Sequence, residues 1–260
     1  MKQSPGLAVV TGGASGIGEA TARKFAANGF RVIIGDINAA RGEAIASELG
    51  AADPSFTFHA LDVRDDAAIV SFADHVCTQH GVPDVLVNCA GLLQNATRVL
   101  TMDMAEFDRI WQVNVRGTVA ASRAFGSRMC AEGRGSIIQL CSLTTFRPSA
   151  QVAYALGKSS LKMLTEIMAA EFGPKGVRVN AVAPGYTLTP AMQDRIDKRE
   201  RDPSAVVERS ALGRFVSPAE AANAIYFLCS PEASAITGVV LPVDCGWLAT
   251  TAYQAYASQP

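Results

Sequence analysis

No sign of charge dominates this sequence: 23 Lys and Arg stand against 24 Asp and Glu, a formal net charge of -1. With the two signs mixed along the chain, there is no basic field to hold DNA, RNA or an anionic membrane. Even the longest charged cluster, Asp194-Arg195-Ile196-Asp197-Lys198-Arg199-Glu200-Arg201-Asp202, alternates in sign and reads as a solvated helical face. Cysteine is thinly spread. Cys77, Cys89, Cys130, Cys141, Cys229 and Cys245 form no CxxC and no Cys/His cluster, so neither a metal site nor a disulfide scaffold is expected, and a reducing, cytoplasmic location is. Long apolar runs are also missing. Thr11-Gly12-Gly13 interrupts the first apolar stretch after a few residues, which fits neither a signal peptide nor a spanning helix. No Gly/Ser/Pro-rich linker divides the chain.

What is present is a moderately apolar composition, 49% hydrophobic and 18% charged with a mean hydropathy of +0.17, which describes a soluble globular protein. The 260 residues permit one large domain or two small ones, and the missing linker favours one. Short β-branched runs, read as strands, lie near Leu7–Thr11, Arg31–Asp36, Phe56–Leu61, Asp84–Asn88, Ser136–Cys141, Val177–Val182 and Val239–Val243. Between them, helical patterns cover Gly16–Asn28, Ala39–Leu49, Asp66–Gln79, Met104–Ala131, Val152–Phe172 and Pro218–Cys229. Asp103 with Glu106, and Ser217-Pro218-Ala219-Glu220, have the residues of helix starts. The alternation predicts an α/β fold: a doubly wound, seven-stranded parallel sheet covered by helices on both faces. One segment breaks the rhythm. Tyr186–Gly213 is a polar insertion of the kind that covers a ligand.

The first strand ends in Thr11-Gly12-Gly13-Ala14-Ser15-Gly16-Ile17-Gly18, where a helix begins. Glycines at this point permit a tight turn, let backbone N–H groups reach a pyrophosphate and pack the helix start against the strand, which predicts a Rossmann-type dinucleotide site. About 20 residues on, Asp36 ends the second strand, where a carboxylate accepts hydrogen bonds from the adenosine ribose and repels a 2′-phosphate. A strand-end carboxylate or a cap for the next helix is the plainer reading of Asp36. Neither Gly13 nor Ile37 offers a base for a 2′-phosphate, so NAD is expected over NADP.

The spacing of Gly12, Gly16 and Gly18 departs from GxGxxG and resembles the TGxxxGxG motif of the short-chain dehydrogenase/reductase family, in its compact single-domain branch. The likeness extends over essentially the whole chain. It implies that Gly12, Ser15, Gly16, Ile17 and Gly18 hold the cofactor and that Asp62-Val63 contacts the adenine. Asn88-Cys89-Ala90-Gly91 is close to the family's Asn-Asn-Ala-Gly, which implies that Asn88, Ala90 and Gly91 contact the cofactor, with Cys89 in place of the second Asn, read as a packing thiol and not a nucleophile. After the sixth strand, Pro184-Gly185-Tyr186-Thr187-Leu188-Thr189 resembles PGxxxT, which implies cofactor contacts from Pro184, Gly185, Thr187 and Thr189, a backbone group near Thr187 and the Thr189 hydroxyl orienting the carboxamide.

Tyr154-Ala155-Leu156-Gly157-Lys158 supplies the chemistry. At i and i+4 on one helix face, the Lys158 ammonium is expected to favour tyrosinate and lower the Tyr154 phenol toward the range of a general acid/base. Ser142, at the end of the fifth strand, lies where open parallel sheets collect ligands, and its hydroxyl can donate to a substrate oxygen; a helix cap is its plainer role. Asn114 matches the family's fourth catalytic position, an Asn that kinks its helix and holds a water in a proton relay. The resemblance implies alcohol oxidation in which Tyr154 takes the hydroxyl proton as hydride leaves for the nicotinamide, with Lys158 also on the nicotinamide ribose. The 11 residues from Leu143 to Ala153 make this loop one shorter than in the family, which alters the pocket wall.

Gln94, Thr144, Arg147, Gln151 and Tyr186 are the expected pocket residues, and their polarity suits a polyol, a sugar or a hydroxy acid. The alternatives are a 3-oxoacyl thioester reductase, against which Asp36 argues, and a protein that senses NAD(H) without turnover. Two long apolar helices resemble those through which family members associate, and Trp247, Tyr253 and Tyr256 are aromatics for a further interface; a homotetramer is expected.

Overall fold

Val9, Val10, Ile33, Ile34, Leu86, Val87, Ile137 and Ile138 are at most 1% exposed, because the strands that carry them are apolar at successive positions and a sheet covered on both faces can bury them all. The structure is a computed structural model and describes residues 6–50, 56–200 and 202–254. Seven strands, β1 (Leu7–Thr11), β2 (Arg31–Asp36), β3 (Thr57–Ala60), β4 (Val85–Asn88), β5 (Gly135–Leu140), β6 (Val177–Pro184) and β7 (Val240–Val243), form one parallel sheet in the order β3-β2-β1-β4-β5-β6-β7. The helices are α1 (Gly16–Ala27), α2 (Ala39–Gly50), α3 (Asp66–His80), α4 (Met104–Trp111), α5 (Thr118–Glu132), α6 (Val152–Phe172), α7 (Pro190–Asp197), α8 (Pro203–Glu208), α9 (Pro218–Cys229) and α10 (Trp247–Gln254).

The expected doubly wound, seven-stranded α/β sheet is therefore present. Leu7, Val9, Ile33, Leu86, Ile137 and Val179 pack on one side with Phe72, Phe125 and Met129, under α3, α5 and α6. Their strand neighbours Ala8, Val10, Val32, Ile34, Val87 and Ile138 pack on the other with Phe25, Ile225 and Leu228, under α1 and α9. Strand order reverses between β1 and β4, and a crevice opens at the carboxyl ends there, the usual ligand position in such sheets.

Three elements differ from the sequence reading. Met104–Ala131, read as one helix, is α4 and α5 joined by a π-helical turn, Gln112–Gly117. There Asn114 turns its side chain to the loop after β4, accepting from the Leu92 N–H at 2.7 Å and donating to the Leu92 carbonyl at 3.0 Å, so side-chain bonding accompanies a widened backbone. The insertion holds α7 and α8, which the polar pattern concealed, and its base is closed by backbone bonds from Leu188 to Val216 and from Val216 to Tyr186. The charged cluster is not one helical face: α7 ends at Asp197, and Arg199 takes a left-handed conformation with φ 60°. Arg201 and Tyr256 lie outside the described residues. Both expected helix starts form, Asp103 accepting from the Ala105 N–H, and Ser217 and Glu220 making a capping box. Among the described residues, no helix is long and apolar enough to cross a membrane.

Candidate active site

The turn between β1 and α1 is built so that only glycine fits. Gly12 has φ +68°, and a Cβ there would lie 2.5 Å from the Ala90 backbone; at Gly18 it would lie 2.0 Å from the Gly12 carbonyl oxygen. The result is a close pass of backbone over backbone that leaves a cleft of about 560 Å³ along the sheet edge. Gly12, Ser15, Gly16, Ile17, Gly18, Asp36, Asp62, Val63, Ala90, Gly91 and Lys158 border it. Ser15 is the N-cap of α1 and makes no side-chain capping bond, so its hydroxyl and the first amides of a twelve-residue helix face this cleft as an anion cradle. A dinucleotide fits such a donor set. Asp36 accepts from the Ala14 and Asn38 N–H groups, each at 2.9 Å, so its carboxylate also sets the shape of the glycine turn. Asp62 pairs with Arg64, which holds its carboxyl below the usual range.

A second cavity, of about 220 Å³, lies beside the cleft at the ends of β5 and β6. Ile17, Leu93, Leu140, Tyr154 and Thr189 border both spaces, so the Tyr154 phenol stands in the wall they share. Ser142 lies two residues beyond the end of β5 and reaches the same cavity. Its two readings turn out to be compatible: Ser142 also caps a short 3₁₀ turn, Leu143–Thr145, accepting from the Thr144 N–H at 3.4 Å. The Thr145 hydroxyl donates to the Lys158 carbonyl at 3.1 Å, which ties this shortened loop to the turn of α6 that bears Lys158.

Lys158 does not act on Tyr154 as the i,i+4 spacing leads one to expect. Its ammonium is 5.6 Å from the Tyr154 ring centre and donates to the Leu140 carbonyl. Burial raises the Tyr154 phenol above its ordinary value, only partly offset by a hydrogen bond to Ser142, and burial lowers Lys158. The expected lowering of the phenol is corrected for a physical reason: removing a phenolate from water costs more than this lysine position returns. Asn114 is buried beside them, but its amide is spent on Leu92 and its carbonyl accepts from Thr118 at 2.9 Å.

The comparisons with known proteins agree with this geometry. A family model described as enoyl-(acyl carrier protein) reductase matches residues 12–248. Galactitol 2-dehydrogenase (L-tagatose-forming) of Cereibacter sphaeroides is 39% identical, covering 92% of this chain and 94% of its own. D-threitol dehydrogenase of Mycolicibacterium smegmatis is 36% identical, covering 93% and 92%. Among solved structures, one from Brucella melitensis 16M described as ribose-5-phosphate isomerase superposes with a TM-score of 0.91 at 39% identity over 99% of this chain and 98% of its own. ElxO with NADP bound superposes with a TM-score of 0.88 at 26% identity over 95% and 100%. The chain belongs to the short-chain dehydrogenase/reductase family. It is an oxidoreductase that uses a nicotinamide cofactor and acts on CH–OH groups.

Within this dehydrogenase, several expected site residues stand elsewhere. Asn88 does not reach the cofactor cleft: it is buried, donating to Ser122 and Gln139 at 2.9 Å each, because a polar side chain ending a core strand needs partners inside. Pro184, Gly185 and Thr187 border the smaller cavity and not the cleft, whereas Thr189 borders both. The Thr189 oxygen accepts from the Met192 N–H to cap α7, which leaves its own hydrogen to donate. Gln94 is fully buried outside the cavity; it accepts from the Tyr154 N–H at 3.2 Å and so anchors the start of α6. Gln151 borders the cavity but gives its amide to the Gln94 carbonyl. Thr144, Arg147 and Tyr186 do line it.

Other wall residues escaped the sequence reading. Trp247, expected at an interface, lines the cavity with its ring 5.8 Å from that of Tyr186. Its place just after β7, at the carboxyl edge of the sheet, was the available signal. Met192 and Arg195 enter from α7. Cys89 borders the cleft with its thiol pushed up to about 12 by burial, which leaves it inert as a nucleophile.

Proposed function

We propose that this short-chain dehydrogenase/reductase is NAD-preferring and oxidises the secondary alcohol of a small polar molecule, a polyol, sugar or hydroxy acid, to a ketone. The observation that carries the reading is the common wall of the two spaces, where Tyr154 stands between the dinucleotide cleft and the smaller cavity. Asp36 at the cleft edge supports NAD, since a carboxylate opposes a 2′-phosphate. ElxO, with its NADP, is the counterweight to that cofactor choice.

The bound nicotinamide supplies the hydride acceptor, and the remaining work falls to this chain. Ser142 and Tyr154 hold the substrate oxygen, and Tyr154 takes its proton as the carbon gives up hydride. Lys158, buried one helical turn from Tyr154, orients the cofactor ribose, and Asn114 fixes the loop after β4 beside it. The insertion is the cover of the substrate cavity within a single domain of 260 residues. Exposed apolar side chains on the outer faces of α5 and α6, among them Val119, Leu156, Met163 and Ile167, support a homotetramer. Free cysteines throughout the described residues support a cytoplasmic setting.

The competing reading is an NADPH-dependent reductase of 3-oxoacyl thioesters, supported by 34% identity to a 3-oxoacyl-[acyl-carrier-protein] reductase of Thermotoga maritima. Initial rates with NAD and NADP separately, across polyols, aldoses, hydroxy acids, steroids and 3-hydroxyacyl thioesters, decide between them. NAD-dependent turnover of a small polar alcohol supports the proposal; turnover confined to the thioester with NADP overturns it.

A further inference from the structure

Arg147, in the loop between β5 and α6, and Arg195, on α7 of the insertion, border the same cavity as Ser142 and Tyr154. No Asp, Glu or Lys is in its wall, and Leu143, Pro148, Met192 and Trp247 make much of the remainder apolar. Neither arginine forms an ion pair with a described residue. The carboxylates beside Arg195 are engaged elsewhere: Asp194 pairs with Lys198 and Asp197 accepts from Gln193. Arg147 makes only a long contact, 3.5 Å, to its neighbour's carbonyl. A neutral polyol is recognised by hydroxyls and amides with no net charge and has no use for two guanidiniums. Two cations from separate segments, unopposed in a wall with apolar stretches, create a local positive potential that an anionic ligand relieves. Arginine also presents the planar, forked donor set that matches a carboxylate or a phosphate.

We propose that Arg147 and Arg195 select a substrate carrying an anionic group, a carboxylate or a phosphate, bound in the same cavity as the alcohol that Tyr154 deprotonates. This rests on the dehydrogenase reading above and narrows its substrate class from small polar alcohols to hydroxy acids or phosphorylated sugars. The overall step is that of the family: the C–H and O–H bonds of the alcohol break, hydride passes to the oxidised nicotinamide, and the proton passes to Tyr154 and then to solvent. The anionic group takes no part in bond making and contributes binding and register.

The test compares matched alcohols with NAD: a hexitol, the corresponding hexonate and a hexitol phosphate, each with wild type, Arg195→Gln and Arg147→Gln. The expected result is that one anionic substrate exceeds the hexitol at least tenfold in kcat/KM. Arg195→Gln should then raise its KM by about 10- to 100-fold, the effect of losing one charge-assisted hydrogen bond, and lower the anion-to-hexitol ratio of kcat/KM by a similar factor. Raising salt should weaken the anion preference in wild type. Whether the hexonate or the phosphate gains tells carboxylate from phosphate recognition. Equal or better turnover of the hexitol, with the ratio unmoved by either substitution, overturns the proposal while the dehydrogenase reading stands. If none of the three turns over, that reading has failed, and calorimetric titration of hexonate and inorganic phosphate into the NADH-loaded protein decides the site separately. Binding that Arg195→Gln abolishes supports it, and no binding of either anion overturns it.

Discussion

Asp36→Asn isolates the charge that is proposed to choose the cofactor. The carboxylate has two tasks in the structure: its oxygens accept from the Ala14 and Asn38 N–H groups at 2.9 Å, and it borders the dinucleotide cleft. Asparagine keeps one acceptor and loses the other, at a cost of about 1–3 kcal/mol to the order of the turn. That cost falls on NAD and NADP alike, so the ratio of the two reports what the carboxylate does at the ribose, its bond to the 2′-hydroxyl together with its repulsion of a 2′-phosphate. Two unit charges about 5 Å apart repel by about 3 kcal/mol at an effective dielectric constant near 20, and a 2′-phosphate carries nearly two charges. Asp36 is only partly buried, so counterions and water remove the larger share, leaving at least about 1.4 kcal/mol, a tenfold preference. Wild type should therefore favour NAD by tenfold or more in kcat/KM with one alcohol, and Asp36→Asn should bring the ratio to within about threefold of unity. Thermal unfolding of both proteins shows whether the turn has held. Equal use of NADP by wild type, or an unchanged ratio in the variant, refutes the reasoning.

Tyr154→Phe should reduce turnover by about 10²–10⁴-fold, the usual share of a positioned acid/base, while NADH fluorescence titration gives an unchanged Kd. In wild type, burial has raised the phenol, so its base form grows as pH rises through the alkaline range, and alcohol oxidation should climb there while ketone reduction falls; oxidation that declines above neutrality contradicts the assignment. Gly18→Ala places a Cβ 2.0 Å from the Gly12 carbonyl oxygen, backbone against backbone, and should weaken NADH binding at least tenfold or leave the protein unfolded, as titration and circular dichroism will report. Glu220 is held down at about 2 by Arg214 and by the Ser217 capping box. Its folded value lies below its unfolded one, so its contribution is complete above pH 4.5 and is lost as pH falls toward 2. With the pair largely exposed, Glu220→Gln should cost about 1 kcal/mol in urea unfolding at pH 7 and nothing near pH 2, and an equal loss at both would show the cap, not the charge, at work.

Much of this protein was legible in its residues because its signals are local. A strand apolar at every position requires cover on both sides, which predicts a parallel sheet; Gly12, Gly16 and Gly18 satisfy a backbone that admits no side chain; Ser217 and Glu220 cap a helix within one turn. These depend on neighbours a few residues apart, and a sequence displays such neighbours directly. Only the tertiary structure decided how distant groups meet. That Asn88 turns inward to Ser122 and Gln139, that Gln94 braces α6 instead of lining a pocket, and that Lys158 faces the Leu140 carbonyl follow from packing between segments far apart in the chain. The environment of Tyr154 is the clearest case: the i,i+4 spacing places a lysine near the phenol, but desolvation depends on everything packed around it and reverses the direction of the shift. Arg195 is another, since a charged residue in a polar run looks solvated until the fold carries its helix over the cavity that Arg147 also borders.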